Sequence, residues 1–386
     1  MTSRTRILVL LASVPVLLFT LVGGFLGSAI ARDDTYQQLR IFQDVVSLIV
    51  NNYVEEADLT EVMGGAMRGL AENLDPDSAY LTPADVRQIE AGDPLPAGET
   101  GLEITRQYYL RVVSARDASP AARAGLRPGD LIRNIDQTPT RDMSALEGLR
   151  RLRGASGSTV RLTVIRGNQA DPHLVELTRE VPSGPDVRSR MESAGVGYVR
   201  IATFGRRAAA EVKSRVEALV RDGASGLIVD LRGTASGEFD EAIAAARLFV
   251  PSGTLAIHEA RGRENRRFEA EAGDGAIALP LTVLTDVGTS GPAEVFAAAL
   301  ASQDRADLIG ERTLGRVTAQ KLVKLSDGSG LWITGSRYLL PSGDQMRGLE
   351  PDLLVEQPSA DFGDPLPATD ETIERATERL TRRPAA

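Results

Sequence analysis

From Val196 onward, short apolar runs alternate with helical stretches, and this alternation limits the fold more than any other feature. The run "VGYVRIATF" precedes "RRAAAEVKSRVEALVRDG", "GLIVDLRG" precedes "EFDEAIAAARLFV", and "LPLTVLT" precedes "PAEVFAAALASQ". Short runs of aliphatic and β-branched residues read as strands, and the longer pieces between them carry apolar residues at helical spacing. Strands and helices in series stack in layers, because each element must bury its apolar face against another. Further on, "VKLSDGSGLWITGSRYLLPSG" reads as a hairpin, two strands around a Gly-rich turn. The predicted class is multidomain α/β, with this core over 190–356.

The pattern changes on either side of the core. Residues 33–92 read as a helical N-terminal region. In it "YQQLRIFQDVVSLIVNNYV" sets Leu39, Phe42, Val46, Ile49 and Tyr53 on one helical face. In "LTPADV", Thr82 is placed to cap a helix and Pro83 to occupy its first position. A linker composition over 91–100 leads into a small β-rich module over 98–183, with strands such as "YYLRVVSA" and "TVRLTVIR". Residues 357–386 read as a polar C-terminal tail with a short charged helix.

At the N-terminus, Arg4 and Arg6 precede a charge-free stretch of 25 residues over 7–31. A bilayer span needs about 20 residues, while Ala29-Ile30-Ala31 also fits a signal-cleavage site. Residues 1–32 are thus expected to be a signal peptide or membrane anchor. Asp33 and Asp34 on the far side place the rest outside the cytoplasm, in the periplasm if the source is a Gram-negative bacterium. The chain has no cysteine, which excludes disulfides, thiolate catalysis and cysteine-bound zinc. Two histidines, His173 and His258, are too few for a multi-histidine site. No metal or cofactor is expected, and a net charge of -9 argues against nucleic acid.

Seven segments in order resemble the C-terminal processing (tail-specific) serine peptidases of the S41 type with a PDZ domain, over about 36–355. They are "LDPDSAYLTPADV", "ASPAARAGLRPGDLI", "GYVRIATF", "GLIVDLRG", "GTSGPAEVFAAAL", "IGERTLGRVTAQ" and "YLLPSGDQMRGLEPDL". The resemblance implies that the β-rich module is a PDZ domain and that the core is peptidase-like. It also implies a Ser–Lys dyad in active relatives, in which a neutral lysine takes the proton of the attacking serine. Aligned on Glu294, the nucleophile's position falls on Gly291, which has no side chain. The lysine's position falls on Arg316, whose guanidinium stays protonated. Glu294 and Gln320 match the supporting residues. Pro292, following the nucleophile's position, has no N–H to give an oxyanion, and Gly237 in "DLRGTASGEF" belongs to the opposing loop.

These replacements predict a pseudopeptidase that binds polypeptide. One alternative is an active endopeptidase that uses Ser290, in the strand–turn–helix elbow "GTSGPAEV", with Lys321 and Lys324 the nearest lysines. Another is a regulatory subunit of an active homologue. Arg316 is also placed to form an ion pair with Glu294. Peptide binding falls to "GLEI", Gly101, Leu102, Glu103 and Ile104, where PDZ domains take a polypeptide C-terminus as an added strand. Glu103 stands where relatives often have glycine, so a negative charge lies near the expected carboxylate. The expected partners are polypeptide C-termini or a partner protein, with the membrane reached through the N-terminal segment.

Overall fold

A computed structural model describes residues 36–92, 95–167, 171–357, 361–362 and 369–382. The predicted leader over 7–31 lies outside them. Among the described residues no helix is long and apolar enough to cross a membrane. The chain divides into two compact units between Gly69 and Leu70, inside the helix Leu59–Glu72. In the first unit a helix runs over 36–52, with Phe42 and Val46 half-buried and Leu39, Ile49 and Tyr53 exposed.

In the second unit the core is built on a six-stranded sheet. Its order is Leu353–Leu354, Asp307–Gly310, Leu281–Thr285, Gly226–Asp230, Val196–Ile201 and Val187–Met191. All neighbours are parallel except the last pair. Successive residues of a strand face opposite sides, and both sides here are apolar. Leu227 and Val229 pack under the helices Ala208–Arg221, Phe239–Arg247 and Pro292–Ala301. Ile228, between them, joins Tyr198, Leu284 and Ile309 on the other side.

That second side is covered by the helix Glu371–Arg382, through Ala376 and Leu380. The region read as a polar tail is therefore part of the core. The short charged helix expected there is present, and its few apolar positions form the buried face. Asp370 clamps it: Ile373 N–H donates to Asp370 Oδ1 at 3.2 Å, and two Arg232 nitrogens donate to the Asp370 carboxylate at 3.0 and 2.8 Å.

A second sheet contains Ala79–Leu81, Gly330–Leu339, Thr254–Ala260 and Arg266–Glu269, with Thr318–Lys324 also on Gly330–Leu339. The predicted hairpin is present as that pairing. The strand Ala79–Leu81 corrects the wholly helical reading of 33–92. It is extended because it pairs with Leu331 and Trp332, far along the chain, a partner that local periodicity does not reveal. Thr82 then caps the helix Pro83–Glu90 in a capping box with Asp85.

The β-rich module forms its own sheet, in the order Leu102–Arg106, Leu110–Ala115, Leu131–Ile135, Thr159–Ile165 and His173–Thr178. Ile104, Leu110, Val112, Ile132 and Leu162 fill its core. The helix Ala145–Leu152 lies close against it at Gly148, where a Cβ would come within 2.4 Å of Leu110 Cδ1.

Asp230, at the end of a central strand, is buried and accepts hydrogen bonds from Arg232 and from the Tyr198 hydroxyl at 2.7 Å. Burial alone would raise its pKa. The guanidiniums of Arg232 and Arg200 outweigh burial and hold it at about 2. From an ordinary value near 3.9, the ionised carboxylate contributes about 2–3 kcal/mol at neutral pH. Because the folded-state pKa is lowered, this contribution is present above about pH 4 and is lost as pH falls towards 2. Chemical denaturation across that window should show a falling unfolding free energy for the native chain. The fall should be shallower in Asp230→Asn, which is less stable at pH 7.

Candidate functional site

The strand Leu281–Thr285 runs into the turn 286–291, and the helix Pro292–Ala301 begins there. Asp286 Oδ1 shapes the turn by accepting from Gly288 N–H at 2.9 Å, Thr289 Oγ1 at 3.0 Å and Gly233 N–H at 2.8 Å. The last of these joins the turn to the loop 231–237, as does Ser290 N–H donating to Thr234 O at 3.0 Å. Nothing in the sequence reading marked Asp286. Its signal was an Asp at the end of a strand, which side-chain-to-backbone turn chemistry favours.

Gly291 is the N-cap of the helix, with φ 60° and ψ −124°. Residues with a side chain are strained in this conformation. A Cβ placed there would nevertheless meet only Ala235 O at 3.4 Å and Arg316 O at 3.8 Å. The cost of a side chain at 291 therefore lies in the backbone and not in a clash. Pro292 is the first helical residue, where its missing N–H disturbs no helical bond.

Glu294, fully buried, gathers the site. Its Oε1 accepts from the Thr313 hydroxyl and from Gly315 N–H, each at 2.5 Å. Its Oε2 accepts from Arg316 N–H at 2.9 Å and from Gly291 N–H at 3.2 Å. Burial raises its pKa, against the four donors that favour the charged form. Gly291 N–H also donates to Arg316 O at 3.0 Å, so the positions that the resemblance assigns to nucleophile and base are neighbours.

The expected ion pair between Arg316 and Glu294 does not form. Arg316 reaches Glu294 through its backbone N–H, and its guanidinium Nε lies 2.8 Å from Asp77 Oδ2. Asp77 is better placed because Glu294 is already saturated by four donors. Burial opposes the charge on Arg316, and the Asp77 carboxylate more than restores it, so the pKa is raised. Asp77 also accepts from Thr105 Oγ1, in the β-rich module, at 3.4 Å. Asp77 was legible only as part of the quoted segment "LDPDSAYLTPADV".

Ser290 is fully buried, and its Oγ makes no hydrogen bond among the described residues. Neither of the nearest lysines in sequence is hydrogen-bonded to it. Lys324 Nζ pairs with Glu90 at 2.7 Å, and the Lys321 stem lies over Gly335. Gln320 faces its own sheet, donating to Thr318 Oγ1 at 3.0 Å and Thr334 Oγ1 at 3.4 Å. Gly237 has φ 125°, and a Cβ there would come within 2.4 Å of Phe204 O, so only glycine fits.

Two cavities flank this arrangement. One of about 560 Å³ is lined by Asp77, Thr105, Arg111, Arg316 and Thr334, among others. The other, of about 220 Å³, lies between the β-rich module and the core and includes Gly101, Leu102, Glu103, Thr203, Gly233 and Ser236. Neither is lined by Gly291 or Ser290. Gly101 has φ 80°, and a Cβ would overlap Ser119 Cβ at 2.1 Å. Leu102 and Ile104 are buried in the module's core, and Glu103 is half-buried.

Comparison with known proteins agrees with this architecture. A model of peptidase family S41 matches residues 195–355, and a PDZ domain model matches 111–166. A carboxyl-terminal-processing protease of Synechocystis sp. is 32% identical over 321 residues, covering 81% of this chain and 75% of the relative. A carboxy-terminal-processing protease of Bartonella bacilliformis is 29% identical over 337 residues, covering 85% and 77%. Among solved structures, a photosystem II D1 C-terminal processing protease superposes with a TM-score of 0.68 at 26% identity, covering 82% of this chain and 92% of that one.

The geometry sets two stability expectations, both read from denaturant midpoints. Gly291→Ala should fold with a loss of about 1–3 kcal/mol, the cost of a strained backbone conformation. Glu294→Ala should lose more, about 3–5 kcal/mol, because it leaves buried donors unpaired. Equal losses would refute the central place given to Glu294.

Proposed function

Because the chain belongs to peptidase family S41, among the carboxyl-terminal-processing proteases, we propose that it is a member that binds extended polypeptide without cleaving it. The observation that carries this reading is the pair Gly291 and Arg316. Hydrolysis by the family's route needs an attacking hydroxyl and a base that can accept its proton. Glycine offers no attacking atom. Arginine does not release its proton in proteins, and Asp77 stabilises the charged form further. Pro292 removes a third component, since a missing oxyanion donor alone typically costs about 10²–10³ in rate.

Ser290 as a substitute nucleophile is disfavoured by its burial and by the lack, among the described residues, of any hydrogen-bonded base. What remains usable is the PDZ module, whose outer strand Leu102–Arg106 can take an added strand. A role beside an active homologue would use the same surface. The N-terminal segment would hold the protein outside the cytoplasm, exported or anchored.

The full chain, purified in mild detergent, should leave an unfolded protein with an apolar C-terminus intact in gel and mass-spectrometric assays. Cleavage that disappears in Ser290→Ala would refute the proposal. Gly291→Ser with Pro292→Ala and Arg316→Lys should gain measurable cleavage, since a Cβ at 291 meets nothing closer than 3.4 Å. Adding Asp77→Asn should raise that activity by releasing the new lysine from its counter-ion.

A further inference from the structure

Resting on the reading that the PDZ module takes extended polypeptide, we propose that Glu103 makes its groove select segments carrying lysine or arginine, whose cation pairs with its carboxylate. The groove is set by topology. The strand Leu102–Arg106 is the outer strand of its sheet and pairs with Leu110–Ala115 only. Leu149 and Leu152 of the helix Ala145–Leu152 line the cavity beside it. An edge strand beside a helix can add one extended chain, with backbone bonds giving affinity and side-chain pockets giving specificity. At about 220 Å³ the cavity is smaller than the roughly 300–1,000 Å³ of small-molecule sites, which fits a side chain better than a cofactor.

The charges in the cavity are unevenly matched. Glu99 pairs with Arg153 at 2.9 Å and lies 3.9 Å from Arg116. Arg116 also pairs with Asp186 at 2.9 Å. The Glu103 side chain, on the groove strand itself, has no hydrogen bond or ion pair among the described residues. Arg316 attracts it from a distance but is held by Asp77 at 2.8 Å. Burial raises the Glu103 pKa, and Arg316 and Arg153 only partly oppose this. An unpaired half-buried carboxylate is unfavourable until a cation meets it. The same charge repels an acidic side chain, so the groove discriminates by repulsion as well as attraction.

Fluorescence anisotropy on the full chain can test this with extended peptides that differ at one position, lysine against glutamate, in an otherwise apolar sequence. The lysine peptide should bind about tenfold more tightly, a difference of about 1.4 kcal/mol. The gap should shrink with added salt, nearly close in Glu103→Gln and reverse in Glu103→Lys. Glu103→Gln should melt no lower than the native chain, which separates a lost pairing from a lost fold. Equal binding of both peptides, or a lysine preference that survives Glu103→Gln, overturns the inference and leaves peptide binding standing. Failure of every peptide to bind overturns both.

Discussion

One buried carboxylate holds the site together. Glu294 receives three backbone N–H groups and one hydroxyl, from both the helix start and the loop 313–316. Without it the Thr313 hydroxyl and the Gly315 and Arg316 N–H groups would lose their acceptor, while Gly291 N–H would keep Arg316 O. The loop and the elbow therefore keep one relative position, and with them the neighbouring backbone of Gly291 and Arg316. Three of the four contacts come from main chain. Such contacts do not depend on which side chains stand at 291, 315 and 316.

This accounts for an elbow that keeps its shape with glycine at its tip. The turn is built from Asp286 to Gly288, Thr289 and Gly233, and from Ser290 N–H to Thr234 O. None of these bonds uses a side chain at 291. The backbone conformation there, strained for other residues, costs glycine little. The scaffold here does not rest on a side chain at 291: the bonds that shape the turn come from Asp286 and from main chain.

Periodicity made the layered core legible, because Leu227, Ile228 and Val229 in one run already state that both faces are covered. The final helix was legible as a short charged helix, but its docking on the sheet was not, for the opposite reason. Its buried contribution to the second face comes from Ala376 and Leu380 amid charged neighbours, and its attachment by Arg232 and Asp370 joins residues 138 positions apart. The same limit applies at the site. The positions of Gly291, Pro292, Glu294 and Arg316 could be read by offset from a family pattern. The partner of Arg316 could not, since Asp77 lies 239 positions away and competes with a nearer carboxylate. Sequence proximity favoured Glu294, while saturation of its oxygens by main-chain donors decided for Asp77.

The PDZ module is tied to the core by charge as well as by chain. Arg200, on the central sheet, gives two hydrogen bonds to Asp117 of the module, at 3.1 and 2.9 Å, and a third to Thr234 Oγ1 at 2.8 Å. Thr234 O in turn accepts Ser290 N–H. On the other side, Thr105 of the module meets Asp77, the counter-ion of Arg316. Both edges of the elbow are thus within two or three hydrogen bonds of the PDZ module. A partly buried ion pair resists separation because splitting it strands a charge away from water. The PDZ module, the elbow and the 313–316 loop therefore sit on one connected support.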